Sequence, residues 1–413
     1  MRKETQGARR RDPSTIGADP RRAAVLAVLG ARGPSSRADL ARELAVSPAL
    51  ITQIVRALLA EGLVRELEAV VSPRGGRPSK LLTLSPNSAH AVGIKVVADH
   101  MALVEVALDG EVTRSAVVPF DSSSPTAVSQ IADHARDFVG SSPSARILGV
   151  GVGVPGIVDS QESGVVDSTQ LDWHRVALGA SLRQELELPV VVENNVNALS
   201  LAERLFGPGR GFEDFLVVTI GTGVGAGILS EGRILRGSTG SAGDFGHVPV
   251  LADGPVCQCG NRGCLESLIC EEALIRSGVA DGAIEQGQTV DDLREAADAG
   301  DESACAVFAE AGGHLGRALA GAVNIVDPEA VIVSGEGVQA WRFWRTTFET
   351  AFRSALVPAK RTVPVIIEEW QDEGWARGAA ALVLATPFDS EGIAGGQGRI
   401  MRERLVSGGG DGR

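Results

Sequence analysis

Residues 247–264 carry His247, Cys257, Cys259 and Cys264, with glycines at Gly260 and Gly263. The chain has only five cysteines in 413 residues, so three within eight positions strongly constrain the local fold. Three thiolates and one imidazole form a closed tetrahedral shell for Zn2+, and the Cys-x-Cys and Gly-x-x-Gly spacings let the backbone turn tightly around an ion. A closed shell keeps no position for a catalytic water. The expected zinc is therefore structural, a knuckle that holds the loop bearing His247 and Glu266 in one geometry. Cys270 and Cys305 lie outside the cluster and read as core residues. An odd cysteine count argues against a secreted disulfide framework.

The length allows two or three domains with a sizeable core. No apolar run approaches the roughly 18 residues a membrane helix needs, and the N-terminus lacks the apolar stretch of a signal peptide, so a cytoplasmic protein without membrane contact is expected. The net charge of -13 hides an asymmetry. Residues 1–84 hold 15 Lys+Arg against 8 Asp+Glu, a net of +7, whereas residues 85–413 hold 24 against 44, a net of -20. An acidic body repels a phosphate backbone and a basic front attracts it, which confines nucleic-acid contact to the front. Residues 1–18 read as a disordered basic tail and residues 389–413 as a second disordered tail.

Residues 19–84 read as a winged helix-turn-helix. Ala24, Val25, Val28 and Leu29 recur at helical spacing before Gly30 and Gly33-Pro34. Ser36 caps a second helix from Arg37 to Leu44, and Ser47-Pro48 opens a third, to about Glu61. Ile51, Ile54, Val55, Leu58 and Leu59 take its core side, leaving Leu50, Thr52, Gln53 and Arg56 outward. Gln53 suits a base edge, Ser47 and Thr52 a phosphate or base, Arg56 a phosphate and Leu50 a thymine methyl. The segment from Gly62 to Leu84 predicts a two-stranded wing. Its tip, Pro73-Arg74-Gly75-Gly76-Arg77-Pro78, offers Arg74 and Arg77 to a narrow A/T-rich minor groove and also reads as an interdomain linker.

Beyond Ser85, short apolar runs alternate with helical stretches, the pattern of an α/β body over residues 85–388. Strands are expected at Ala91–Val97, Leu103–Leu108, Leu148–Val154, Val190–Glu193, Phe215–Ile220, Ala226–Leu229 and Ala330–Val333. Glu193-Asn194-Asn195-Val196-Asn197 places amides at a strand end, where they match the donor and acceptor needs of sugar hydroxyls, with Asn197 a candidate helix cap. Gly221–Gly227 reads equally as a phosphate cradle or a glycine-rich hairpin. Asp244 offers a carboxylate to ligand hydroxyls. His247, three residues on, can serve a metal through one ring nitrogen and a ligand through the other.

Together these residues resemble the ROK family of bacterial repressors and sugar kinases over about residues 20–385. The carriers are Cys257-x-Cys259-Gly260-x-x-Gly263-Cys264-x-Glu266, Gly243-Asp244-x-Gly246-His247 and Glu193-Asn194-Asn195-x-Asn197, supported by Gly221–Gly227 and Asp327-Pro328-Glu329. The resemblance implies an actin-like, ribonuclease-H-type pair of α/β lobes with ligand in the cleft, preceded by the DNA-binding head. It also implies a sugar site at Asn194, Asn195, Asp244, His247 and Glu266.

Three departures from the family pattern favour a regulator over an enzyme. Lys95 stands where kinases of the family place an aspartate for ATP phosphates, and Val96 and Val97 replace the glycines of that turn. Asn195 stands at the position of the catalytic aspartate, and an amide cannot take the hydroxyl proton. Asp244 replaces a more usual glutamate, retracting the carboxylate by about 1.5 Å. The expected protein is a sugar-responsive repressor of carbohydrate genes, a homodimer or tetramer on a palindromic double-stranded operator, associated with the bacterial nucleoid through that operator. A sugar kinase with a fused DNA-binding head, and a regulator controlled by a protein partner, are the alternative readings.

Overall fold

The computed structural model describes residues 20–67, 80–143, 146–369, 371–388 and 393–407. The head begins with α1 (Pro20–Arg32), β1 (Ser35–Ser36), α2 (Arg37–Glu43) and α3 (Pro48–Ala60), and closes with β2 (Val64–Glu66) and β3 (Leu81–Leu84). Local chemistry accounts for the helix starts. Ser36 accepts from the Asp39 amide and Ser47 from the Leu50 amide, with Pro48 at the first position of α3. The axes of α2 and α3 bend by 117° from one another, as a helix-turn-helix requires. The strands pair in the order β1-β3-β2, so Ser35–Ser36 adds a third strand to the expected wing. Arg74 and Arg77 lie outside the described residues. Among the described residues no single helix is long and apolar enough to cross a membrane.

The first lobe carries β4 (His90–Val96), β5 (His100–Ala107), β6 (Val112–Pro119), α4 (Ala127–Gly140), β7 (Ile147–Val154), β8 (Ile157–Val158), β9 (Val166–Ser168), β10 (Trp173–Val176), α5 (Leu178–Leu186) and β11 (Val190–Asn194). Its main sheet has the order β11-β7-β4-β5-β6, with β7 parallel to β4 and β11. Every residue of β7 is buried, as a central parallel strand demands. A crossing helix, α6 (Asn195–Phe206), leads to the second lobe.

That lobe carries β12 (Phe215–Ile220), β13 (Val224–Ser230), β14 (Arg233–Ile234), α7 (Glu266–Ile269), α8 (Glu271–Ala280), α9 (Val290–Asp298), α10 (Glu302–Val326), β15 (Ala330–Ser334), α11 (Trp341–Ala355) and β16 (Val365–Ile367). Its sheet order is β14-β13-β12-β15-β16. The chain returns through α12 (Asp372–Ala385), which packs on α6, β4 and β7. Small residues permit that approach. A Cβ at Gly151 would stand 1.8 Å from the Ala379 carbonyl oxygen, and one at Gly93 2.0 Å from that of Ala376.

One expectation is corrected. The region 389–413 was expected to be disordered, but Gly395–Ser407 forms α13, with Met401 and Leu405 buried. Arg404 donates to the Ile147 carbonyl at 2.9 and 3.1 Å, and Arg146 to that of Leu405 at 3.0 Å. Too few apolar residues mark this helix for periodicity to reveal it, and the lobe supplies its anchors. The two domains expected on either side of Ser85 pack against each other. Val25, Leu29 and Leu58 of the head share one apolar cluster with Ala91, Val104, Leu148 and Met401 of the lobe.

Candidate functional site

The two lobes enclose a cavity of about 610 Å³, lined by Asn194, Asn195, Asp244, His247 and Glu266 together with Lys95, the Gly221–Gly225 turn and Trp375. The five residues expected to hold a sugar thus meet at one place, although they come from the end of β11, the start of α6, the loop after β14 and α7. Their side chains differ in what they have left to offer. Asn194 Oδ1 accepts from the amides of Val196 (2.8 Å) and Asn197 (3.3 Å), and its Nδ2 donates to the Gly156 carbonyl at 2.9 Å. Asn194, and not Asn197, is therefore the cap of α6, because only the residue preceding the first turn can reach those orphan amides. Asn197 is buried and donates to Glu193 at 3.3 Å. Asn195 lines the cavity half-buried, with no hydrogen-bond partner among the described residues.

Glu193 is the organiser that sequence reasoning named only as part of a motif. Its fully buried carboxylate accepts from the Asn194 amide, Asn197, Gln161 and Arg236. These donors hold the end of β11 and the start of α6 against the loop after β14. The β9–β10 hairpin was missed as a cavity wall. It contributes Asp167, Gln170, Asp172, Trp173 and His174, with Asp172 and Arg175 in the left-handed region at φ 55° and 48°. A polar and aromatic run between two short apolar segments was the available signal.

Gly221–Gly227 resolves in favour of the hairpin. β12 and β13 pair antiparallel, and the Gly221 amide donates across the turn to the Gly223 carbonyl at 3.0 Å. Glu266 Oε2 accepts from the Val224 amide at 2.9 Å, tying the start of α7 to this turn. Partial burial in the cavity wall raises the Asp244 carboxyl above the ordinary carboxylate range, and His247 pulls it back down.

The ligand atoms of His247, Cys257, Cys259 and Cys264 all lie within 4.8 Å of one another and could hold a metal ion. Cys257 Sγ is 3.6 Å from His247 Nδ1 and Cys259 Sγ is 3.7 Å from Cys264 Sγ. A tetrahedron with metal–sulfur bonds near 2.3 Å has edges of about 3.8 Å, so these spacings fit. The loop closes through glycine: Gly263 has φ 65°, and a Cβ there would lie 1.6 Å from the Leu251 carbonyl oxygen. Burial raises the Cys257 thiol and pushes Cys264 up to about 12, whereas the Asn261 amide draws Cys259 down. Metal uptake must displace the protons of the two raised thiols.

In the head, Thr52, Gln53 and Arg56 are exposed on α3, as is Ser47 at its start, while Leu50 is half-buried and packs on the core. The Ser47 hydroxyl is engaged as the cap, and Thr52 donates to the Pro48 carbonyl at 2.8 Å. Gln53 and Arg56 have no protein partner among the described residues, which leaves both side chains fully available for an external contact.

Residues 91–386 match the ROK family, and residues 19–65 match a winged helix-turn-helix DNA-binding module. The DNA-binding transcriptional repressor Mlc of Escherichia coli K12 is 30% identical over 371 residues, covering 86% of this chain and 91% of its own length. The N-acetylglucosamine repressor of Escherichia coli O6:H1 is 28% identical over 375 residues, covering 87% and 91%. A crystal structure of a ROK family transcriptional regulator homologous to Mlc superposes with a TM-score of 0.77 at 25% identity, over 94% of this chain and 98% of that one. A ROK family glucokinase from Streptomyces griseus, in complex with glucose and AMPPNP, superposes with a TM-score of 0.63 at 28% identity, over 71% of this chain and 99% of that one. The family match, the relatives aligned through head and body alike, and the shared two-lobed architecture identify this chain as a member of the ROK family that carries an N-terminal winged helix-turn-helix.

Proposed function

We propose that the protein is a sugar-responsive transcriptional repressor of carbohydrate genes, which binds a sugar between its lobes and operator DNA through its head. The observation that carries this reading is the course of α12. Its first turn lies at the cavity, where Trp375 lines the wall and Asp372 accepts from Lys95 at 2.8 Å. Its end leads into Thr386–Phe388, which packs on α1 of the head. Fourteen helical residues span about 21 Å, so a change in lobe closure at one end reaches the DNA-binding head at the other through a stiff rod.

Asn195, Asp244, His247 and Glu266 hold the sugar hydroxyls, and Asn194 acts mainly by setting the start of α6. His247 Nδ1 faces the thiols, leaving Nε2 for the ligand. A structural Zn2+ held by His247, Cys257, Cys259 and Cys264 supplies rigidity to the loop that presents Asp244 and Glu266. Phosphoryl transfer is not part of the function: Lys95 is spent on Asp372, and the amide of Asn195 is no base. Gln53 reads a base edge and Arg56 a phosphate, with Ser47 and Thr52 at the groove surface, Leu50 turned toward the core instead of a thymine methyl, and Arg74 and Arg77 at an A/T-rich minor groove. A homodimer matches a palindromic operator.

The test is a thermal-shift screen against sugars, amino sugars and sugar phosphates, followed by operator titrations with and without the hit. A ligand that both raises Tm and alters operator affinity supports the reading. A stabilising sugar that leaves operator affinity unchanged refutes the coupling. A blank screen with intact operator binding favours control by a protein partner.

A further inference from the structure

The Gly221–Gly223 turn and the sugar-binding residues share one cavity, and Glu266 touches the turn directly. A phosphoryl group on a ligand held by Glu266 therefore meets this turn. The turn is already filled. A Cβ added to Gly221 would stand 1.9 Å from Glu336 Oε2, which places the Glu336 carboxyl against the backbone that a phosphate would have to approach. Two of its amides are committed as well: that of Gly221 donates to the Gly223 carbonyl and that of Val224 to Glu266. Lys95 is the one lysine or arginine lining the cavity among the described residues, and neither it nor the two wall imidazoles turns a free cation to the turn. Lys95 pairs with Asp372 at 2.8 Å and is buried, His174 pairs with Asp167 at 2.8 Å, and His247 turns Nδ1 to the cysteine cluster. Asp172, Asp244 and Glu266 add carboxylates, which accept from hydroxyls and repel phosphate.

We propose that the cleft takes an uncharged, unphosphorylated sugar, and that Glu336 is the specificity-determining residue that bars phosphoryl groups from the Gly221–Gly223 turn. The carboxyl acts by occupying the space and by its charge, so the bar holds across its titration. This rests on the sugar-binding reading above and narrows it to one ligand class. A phosphate monoester finds the Glu336 carboxyl in its place, loses two of the turn's amide donors and gains like-charge neighbours, which makes it on the order of a hundredfold weaker than its parent sugar.

Calorimetry on the full-length, metal-loaded protein tests this with neutral aldoses and N-acetylhexosamines, each paired with its phosphate ester, for the wild type and Glu336→Ala. The expected result is that a neutral sugar binds the wild type, its ester does not, and the alanine variant admits the ester while keeping its affinity for the neutral sugar. That retained affinity reports a folded cleft, and Glu336→Ser, which likewise removes both the charge and the bulk, serves if the alanine variant melts. An ester that binds the wild type as tightly as the neutral sugar overturns the inference and leaves the sugar-binding reading standing. The same ratio of affinities in wild type and variant overturns the role of Glu336. Binding of neither class refutes the sugar reading itself, and the inference with it.

Discussion

Replacing Glu203 with glutamine should flatten the pH dependence of stability. Glu203 lies on α6, where that helix crosses α12, and its carboxyl is pushed up to about 9. Burial is the main cause, followed by its neighbour Glu368, with the Arg377 guanidinium pulling the other way. If both acids were ionised, Oε2 of each would be buried without a partner. One proton held on Glu203 supplies the missing donor. The folded chain thus keeps a proton that the unfolded chain has lost above about pH 4.5. Unfolding releases it, so stability falls as pH rises through that window, by about 1.4 kcal/mol per pH unit. The fall ends once pH passes the folded value near 9, and below about pH 4.5 both states are protonated and the slope vanishes. Glutamine is neutral at every pH and offers an N–H where the protonated acid offers an O–H. Its advantage over the wild type should therefore grow by about 2–3 kcal/mol between pH 6 and pH 8. Urea unfolding followed by tryptophan fluorescence at half-unit pH steps measures this, since groups common to both proteins cancel in the difference. Parallel stability curves for the two proteins would refute a proton held in this pair.

Further outcomes follow from the same geometry. Cys259→Ser should lose the bound metal, read by elemental analysis, and weaken sugar binding; unchanged affinity without metal would remove the scaffold role of the loop. Gly151→Ala forces a methyl into the Ala379 carbonyl and should cost about 1–3 kcal/mol, seen as a lower Tm. Ser47→Ala removes the cap of α3 and should cost about 1 kcal/mol, and denaturant unfolding of the head should show it. Arg56→Ala should weaken operator binding about uniformly across sequences and reduce the salt slope by about one, whereas Gln53→Ala should relax base preference at one position; gel-shift titrations over a salt series separate the two.

Residue order alone determined the His247, Cys257, Cys259 and Cys264 cluster, the caps at Ser36 and Ser47, the buried face of α3 and the main strands. Each of these is set by neighbours a few positions away, through spacing, capping or a run of apolar residues. The chemistry of Asn194 and Asn195 could not be divided in the same way. Both are asparagines at a strand end, and only the folded turn decides that Asn194 spends its amide on the cap while Asn195 faces the cavity. The β9–β10 wall, α13 and the Glu193–Arg236 pairing were hidden because their partners are distant in sequence and their own patterns are weak. Lys95 and Glu336 show the same division. Sequence comparison marked Lys95 as a departure, but the partner that neutralises it is 277 residues away, and the carboxyl that fills the Gly221 turn comes from the segment after β15. Ligand class depends on which charges are left unpaired in the cleft, and pairing across such separations exists only once the lobes have closed their cores.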